Sequence, residues 1–218
     1  MTNHVHKPRR TRIKFCGITR SEDAQWAAML GVDAIGFVLV AASTRAIDPP
    51  AAAAIRRALP PLVSSVALFR DAEPAFVREA LRDLRPDLLQ FHGSEEAAYC
   101  ESFGLPYIKA VAMAEPQDLV KLAAAYASAA ALLLDSHGSQ GMGGTGHVFD
   151  WNRVARVGKP LILAGGLTPI NVAQGIASVR PYAVDVSSGI EAVPGQKDSA
   201  TMCAFVNEVR RADLELSS

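Results

Sequence analysis

The chain has 218 residues, 50% of them apolar and 20% charged, a globular composition with room for one large core or two small ones. Its 22 basic and 22 acidic residues cancel, and because Lys7, Arg9, Arg10, Arg12 and Lys14 crowd the start, the remainder is mildly acidic, which argues against nucleic acid as a partner. No apolar run approaches the roughly 20 residues of a membrane helix. Cys16, Cys100 and Cys203 are odd in number and lack CxxC spacing, so we expect a reducing, cytoplasmic setting and no disulfide framework.

Residues 1–12 are polar and basic and lack the apolar centre of a secretory signal, so they read as a flexible solvated tail. His4 and His6 are too few to hold a metal. The expected domain is residues 13–218.

Within it, short apolar runs alternate with helix-like stretches. Ile13 to Phe15 is the first strand, and Ser21 to Leu30 a helix with Ser21 as N-cap and Gly31 as stop. A strand over 34–40 leads to Asp48-Pro49, a cap and first turn for a helix ending near Leu59. Strand 63–69 and helix 73–84 follow, then strand 88–91 and a helix over 94–103 capped by Ser94. Strand 107–111 precedes helix 116–126, and strand 131–134 a glycine-rich loop and a short helix over 151–157. Strand 161–164 with helix 169–177, and strand 183–186 with helix 199–211, complete eight strand–helix pairs. Strands apolar throughout are those of a parallel sheet covered on both faces. Eight such units in this length predict an α/β fold, a single-domain (β/α)8 TIM barrel.

The active site of such a barrel lies at the C-terminal ends of its strands. Cys16 follows the first, Ser43 and Arg45 the second, and His92 and Gly93 the fourth; Lys109 ends the fifth and Asp135 the sixth. Gly165 and Gly166 follow the seventh, and Ser187, Ser188 and Gly189 the eighth. Glycine admits close backbone approach and helix starts attract anions, so Gly165, Gly166, Ser188 and Gly189 are candidates to hold a phosphate. A thiol and a carboxyl at one rim, Cys16 and Asp135, offer a base and an acid. The planar fork of Arg45 suits a carboxylate. His92 is either a ligand contact or a satisfied structural histidine. Cys100 and Cys203 fall inside expected helices and read as packing residues.

Gly141-Met-Gly143-Gly-Thr-Gly146 matches the GxGxxG dinucleotide pattern, but Ser136 to Gln140 separate it from the strand and residues 164 to 168 bring no acid. It reads as a loop closing over substrate. No Walker A lysine, HExxH or GxSxG is present, so neither metal nor cofactor is expected.

Taken together, several segments resemble phosphoribosylanthranilate isomerases: Ile13 to Arg20 with Glu22-Asp-Ala24, Gly31 to Phe37, Leu89 to Gly93, Leu133-Leu-Asp135, Gly143 to Gly146 with Phe149-Asp-Trp151, Leu163 to Leu167 with Asn171, and Val184 to Glu191 with Pro194-Gly and Lys197-Asp198. The resemblance implies an Amadori rearrangement in tryptophan biosynthesis, with Asp135 as general acid and Cys16 as general base. It further implies that Arg45 holds the anthranilate side of the substrate, that His92 and Asp185 line the pocket, and that the backbone of Gly144 joins the phosphate site. The expected partner is a small phosphorylated substrate, met by a monomer or homodimer, with no nucleic acid and no membrane. The chain departs from the family at Ser43-Thr44-Arg45, where Ser-Pro-Arg is usual, at Phe91, where leucine is usual, and over Leu39 to Ala42, which is smaller and less aromatic. A histidine-pathway isomerase would carry a second aspartate where Cys16 stands, and a non-catalytic barrel would lack the acid or the base.

Overall fold

A strand covered on both faces needs no polar alternation, and the short apolar runs become staves of one parallel barrel. The computed structural model describes residues 10–136 and 148–217. Its strands are β1 (Arg12–Cys16), β2 (Ala34–Val38), β3 (Ser64–Phe69), β4 (Leu88–Phe91), β5 (Tyr107–Ala112), β6 (Ala131–Asp135), β7 (Leu161–Leu163) and β8 (Ala183–Val186). Each pairs in parallel with the next, and β8 returns to β1, which closes the ring. Outside it lie α1 (Ser21–Met29), α2 (Pro49–Arg57), α3 (Pro74–Leu84), α4 (Ala97–Glu101), α5 (Leu119–Ala125), α6 (Val172–Val179) and α7 (Ser199–Glu215). The segment expected as a helix over 151–157 is one 3-10 turn, Trp151–Arg153. A hairpin absent from the sequence reading, β9 (Glu191–Val193) with β10 (Gln196–Lys197), precedes α7.

Asp48, Asp118 and Asp198 start their helices by accepting from the backbone N–H of Ala51, Lys121 and Thr201. Ser21 is not a cap: Arg20 holds that position, and its guanidinium pairs with Asp23 one turn on. Nor does Ser94 cap α4. Its backbone N–H and that of Gly93 are taken by Asp71 and Glu95, so the segment before Ala97 folds as a carboxylate-bound turn.

Alternate residues of one strand join different apolar clusters, which marks the two faces of the barrel wall. Ala131 and Leu133 of β6 pack with Ile108, Ile162, Ala164 and Ala183 inside the ring. Leu132 and Leu134 pack outward with Phe15, Phe37, Phe69 and Phe91 under the helices. Phe91 stacks on Phe69 and Phe103 and meets Tyr99 and Tyr107 edge-on, so the larger ring fills an aromatic layer between β4 and α4. Near the start, the Thr11 backbone N–H and hydroxyl both donate to Asp213 of α7 at 2.6 Å. The fold thus takes in Thr11 and Arg12, which the sequence reading assigned to the tail; residues 1–9 lie outside the described residues.

The hairpin is tied to the barrel mouth by charge. Glu191 accepts from Arg45 Nε at 2.7 Å and Nη2 at 2.8 Å, and from Lys197 Nζ at 2.9 Å. Burial pushes the Glu191 carboxyl up, but the two cations outweigh it and hold it below its ordinary 4.5.

Truncating Phe91 to Ala should cost about 3–5 kcal/mol in urea denaturation and Phe91→Leu far less; equal losses would mean that ring packing is not what matters. Glu191 has its lower value in the folded state, so its stabilisation is present above its unfolded 4.5 and is lost as pH falls through the folded value. Glu191→Gln should therefore melt below wild type at neutral pH, with the gap narrowing on acidification. A gap independent of pH would show that the charge contributes nothing.

Candidate active site

At the C-terminal ends of the strands the ring opens into a cavity of about 300 Å³. Cys16, Arg45, His92, Asp135, Gly165, Gly166, Asp185 and Ser188 all line it, as do Val38, Val40, Leu68, Arg70, Gln90 and Ser187. Strands β1 and β6 stand three steps apart around the ring, so Cys16 and Asp135 face each other across this space.

Period-two alternation along β1 points Lys14 and Cys16 to the same interior face. Lys14 pairs in register with Asp185 of β8, and its Nζ donates to Asp185 Oδ1 at 2.9 Å. Burial pushes the Cys16 thiol above its ordinary 9.0; the Lys14 ammonium pulls it back, and the Asp185 carboxylate adds to the rise. On the far side, His92 Nε2 lies 3.3 Å from Asp135 Oδ2. Gln90 Nε2 lies 3.1 Å from His92 Nδ1. With the amide nitrogen donating, Nδ1 accepts and the ring proton sits on Nε2, aimed at Asp135. Gln90 Oε1 is buried with no hydrogen-bond partner among the described residues. The Asp135 and Asp185 carboxylates repel one another beside it.

Arg45 is placed without the usual proline. Ser43 Oγ accepts from its backbone N–H at 3.1 Å, a local turn that does the same work. Its stem crosses Gly17, where an added Cβ would lie 2.7 Å from Arg45 Cδ. Glu191 takes the Nε–Nη2 edge of the fork.

The loop after β7 turns with φ +77° at Gly165 and +65° at Gly166. A Cβ on Gly165 would stand 2.2 Å from Ser136 N, so this position requires glycine on both counts. Asn171 pins the loop: its Nδ2 donates to the Gly166 carbonyl at 2.9 Å, and its Oδ1 accepts from Thr168 N at 2.8 Å. Gly189 has a different task. Its Cβ would fall 1.8 Å from the Leu167 carbonyl oxygen, so glycine there lets the loop after β8 pack against the loop after β7, behind the cavity lining. Gly144, with the whole 141–146 motif, lies outside the described residues. Lys109 does not reach the cavity. It points outward, where its Nζ donates to Glu95 Oε2 at 2.9 Å, because β5 alternation gives the inner face to Ile108 and Ala110. Cys100 is buried in α4 and Cys203 half-buried in α7. Among the described residues no group of three or more His, Cys, Asp or Glu is arranged to hold a metal ion.

The sequence reading missed Lys14, Gln90, Arg70, Glu191 and Lys197. For two of these a signal existed: Lys14 precedes Cys16 by two residues and Gln90 precedes His92 by two, so the strand period puts each on the cavity side. Glu191 and Lys197 fall in segments that carry the family resemblance, but nothing local assigns them a role; they reach the site through the unforeseen hairpin.

The family model of N-(5'phosphoribosyl)anthranilate (PRA) isomerase matches residues 13–208. A Stenotrophomonas maltophilia N-(5'-phosphoribosyl)anthranilate isomerase is 52% identical over 207 residues, covering 94% of this chain and 95% of that protein. The crystal structure of phosphoribosyl anthranilate isomerase from Thermus thermophilus superposes with a TM-score of 0.83 at 39% identity, over 92% of this chain and 99% of the other. A phosphoribosyl anthranilate isomerase in complex with reduced 1-(o-carboxyphenylamino)-1-deoxyribulose 5-phosphate gives a TM-score of 0.79 at 35% identity over 92% and 99% of the two chains. Matched by this model over most of its length, with a curated relative at this identity and the same closed barrel, the chain belongs to the phosphoribosylanthranilate isomerase family.

Proposed function

We propose that Cys16 and Asp135 act as general base and general acid in the reaction of the family, the Amadori rearrangement of N-(5-phosphoribosyl)anthranilate to 1-(2-carboxyphenylamino)-1-deoxyribulose 5-phosphate, a step of tryptophan biosynthesis. One observation carries the assignment: a thiol and a carboxyl face each other across a single cavity whose rim suits a phosphate on one side and a carboxylate on the other. Asp135 donates its proton to the furanose ring oxygen as the C1′–O bond breaks, and the anthranilate nitrogen lone pair forms the iminium. Cys16, as thiolate, takes the proton from C2′, and the electron pair moves to C1′–C2′ to neutralise the nitrogen. A proton returns to C1′ as the 2′-hydroxyl gives one up, and the ketose results. Only protons move.

His92, with Nε2 3.3 Å from Asp135 Oδ2, orients that carboxyl toward the substrate. The ligand named for the structural relative carries a carboxylate, an aromatic ring and a phosphate. Arg45 presents its remaining guanidinium edge to the carboxylate, while Val38, Val40 and Leu68 flank the ring. Gly165, Gly166 and Ser188 receive the phosphate through their backbone N–H groups, with Gly189 holding the two loops together and Gly144 assigned to the same site. Asp185 lines the floor between them, and the unsatisfied Gln90 Oε1 suits a ribose hydroxyl. The described cysteines are free, which supports placing the enzyme in the cytoplasm.

Asp135→Asn should lose about 10²–10⁴-fold in kcat while still binding the reduced product analogue, since only proton donation is removed. Near-normal turnover would move the acid elsewhere. Cys16→Ser should fall by a similar factor, read as loss of phosphoribosylanthranilate fluorescence; wild-type rates would dismiss the thiol as base. Arg45→Ala should raise KM by about 10-fold or more, since hydrogen bonds to charged groups contribute roughly 1.5–3 kcal/mol. An unchanged KM would remove Arg45 from the substrate.

A further inference from the structure

Lys14 has no place in the mechanism above, yet it is 4% exposed in the barrel interior, where an unneutralised ammonium is costly. It does not line the cavity. Instead it lies beneath the floor, with Asp185 at 2.9 Å on one side and Cys16 on the other. Gly36 of β2 makes the room. A Cβ there would stand 2.9 Å from Cys16 Sγ and 3.0 Å from Lys14 Nζ, so both atoms flank the same missing methyl group and any side chain would prise them apart.

We infer that Lys14 is a positioning residue whose ammonium, anchored by Asp185, stabilises the ionised sulfur of Cys16 during proton abstraction from C2′. The inference rests on Cys16 being the general base. Burial would discharge a lone lysine, but Asp185 and Cys16 outweigh it and hold the Lys14 ammonium above the ordinary lysine value, so the charge is present at neutral pH. Every other charged group acting on the thiol is weaker or further removed in kind. Asp185 of β8 opposes ionisation; Lys197 of β10 favours it from the hairpin; Arg45, after β2, also feels the thiolate but is neutralised by Glu191. Asp135 of β6 and His92 after β4 act on Asp185 from the opposite side. Lys14 is the largest influence that offsets the burial of the sulfur. In the catalytic step the C2′ proton passes to sulfur and the negative charge leaves Cys16 for the substrate, so the ammonium stabilises the state before transfer and keeps the base available.

The test follows the sulfur directly. Below the thiol's ionisation the rate of alkylation by iodoacetamide tracks the thiolate fraction, and each unit of change is a factor of ten. Alkylation at Cys16 is read by peptide mapping between pH 7 and 9, which separates it from Cys100 and Cys203. Lys14→Met should slow it by about tenfold or more at pH 8. Lys14→Met strands Asp185, so Lys14→Met/Asp185→Asn is measured beside it; this replaces the ion pair by a neutral pair and should slow alkylation too. Circular dichroism melts establish that each variant is folded at the assay temperature. Merely loosening the site would speed alkylation. An unchanged or faster rate in the folded double variant overturns the role of Lys14. The pH profile of kcat/KM separates this from the base assignment. A turnover loss that parallels the alkylation loss supports both. Slowed alkylation with unaltered turnover leaves Lys14 controlling the thiol and dismisses Cys16 as the base.

Discussion

Strand β1 meets β8 where the ring of eight closes, and the register there sets Lys14 beside Asp185. Everything at the site depends on that alignment. A slip of one residue in β1 would reverse its faces. Lys14 and Cys16 would point into the helix layer, and Phe15 would point into the cavity. An ammonium stranded among Phe37, Phe205 and Val184 would cost several kcal/mol, since an unpaired buried charge has nothing to repay its lost hydration. The ion pair contributes little net stability by itself, because desolvation offsets most of its attraction. Its weight lies in what it excludes: the wrong register is made far worse than the right one. The same contact that aligns the seam carries Cys16 to the rim.

Charge is also sorted across the cavity. Lys14, Lys197 and Arg45 all act on the thiol side, where Asp185 is held against Lys14, whereas Asp135 stands across the cavity beside His92. Cations gather where an anion must form. Burial pushes the thiol up, and the Lys14 ammonium limits that rise. The apolar residues Val38 and Leu68 complete the cavity wall beside Cys16, keep water away and strengthen each of these influences.

The architecture was legible because its signal repeats: eight apolar runs, each followed by a helix-like stretch, leave few topologies open. Cys16, Asp135 and the two glycine loops were legible because the barrel rule says where to look. Helix starts were read well at Asp48, where aspartate and proline act together, and poorly at Ser21 and Ser94, where long-range partners claimed the backbone that a local cap would have used. Lys109 shows the limit of reading position without face: it stands at the right height on β5 but on the outer side. Lys14 shows the converse, a residue whose face was readable from its two-residue spacing to Cys16 but whose lysine identity suggested a surface. The role of Glu191 was invisible because its relation to Arg45 spans 146 residues of chain and a hairpin of only a few residues.

That distant contact decides how Arg45 works. A free arginine must surrender rotamer freedom when it grips a ligand, a cost of about 0.5–1.5 kcal/mol for each immobilised side chain. Glu191 has already taken that freedom, so the fork meets the substrate preset. The objection is that Glu191 is itself a carboxylate and would satisfy the arginine. Charge counting answers it. Arg45 and Lys197 supply two positive charges to the single negative charge of Glu191, so the cluster keeps one positive charge in excess. Lys14 and Asp185 cancel each other at the floor and take nothing from it. A substrate carboxylate arriving at the guanidinium edge therefore completes a two-to-two balance in a partly buried setting, where unbalanced charge is most costly.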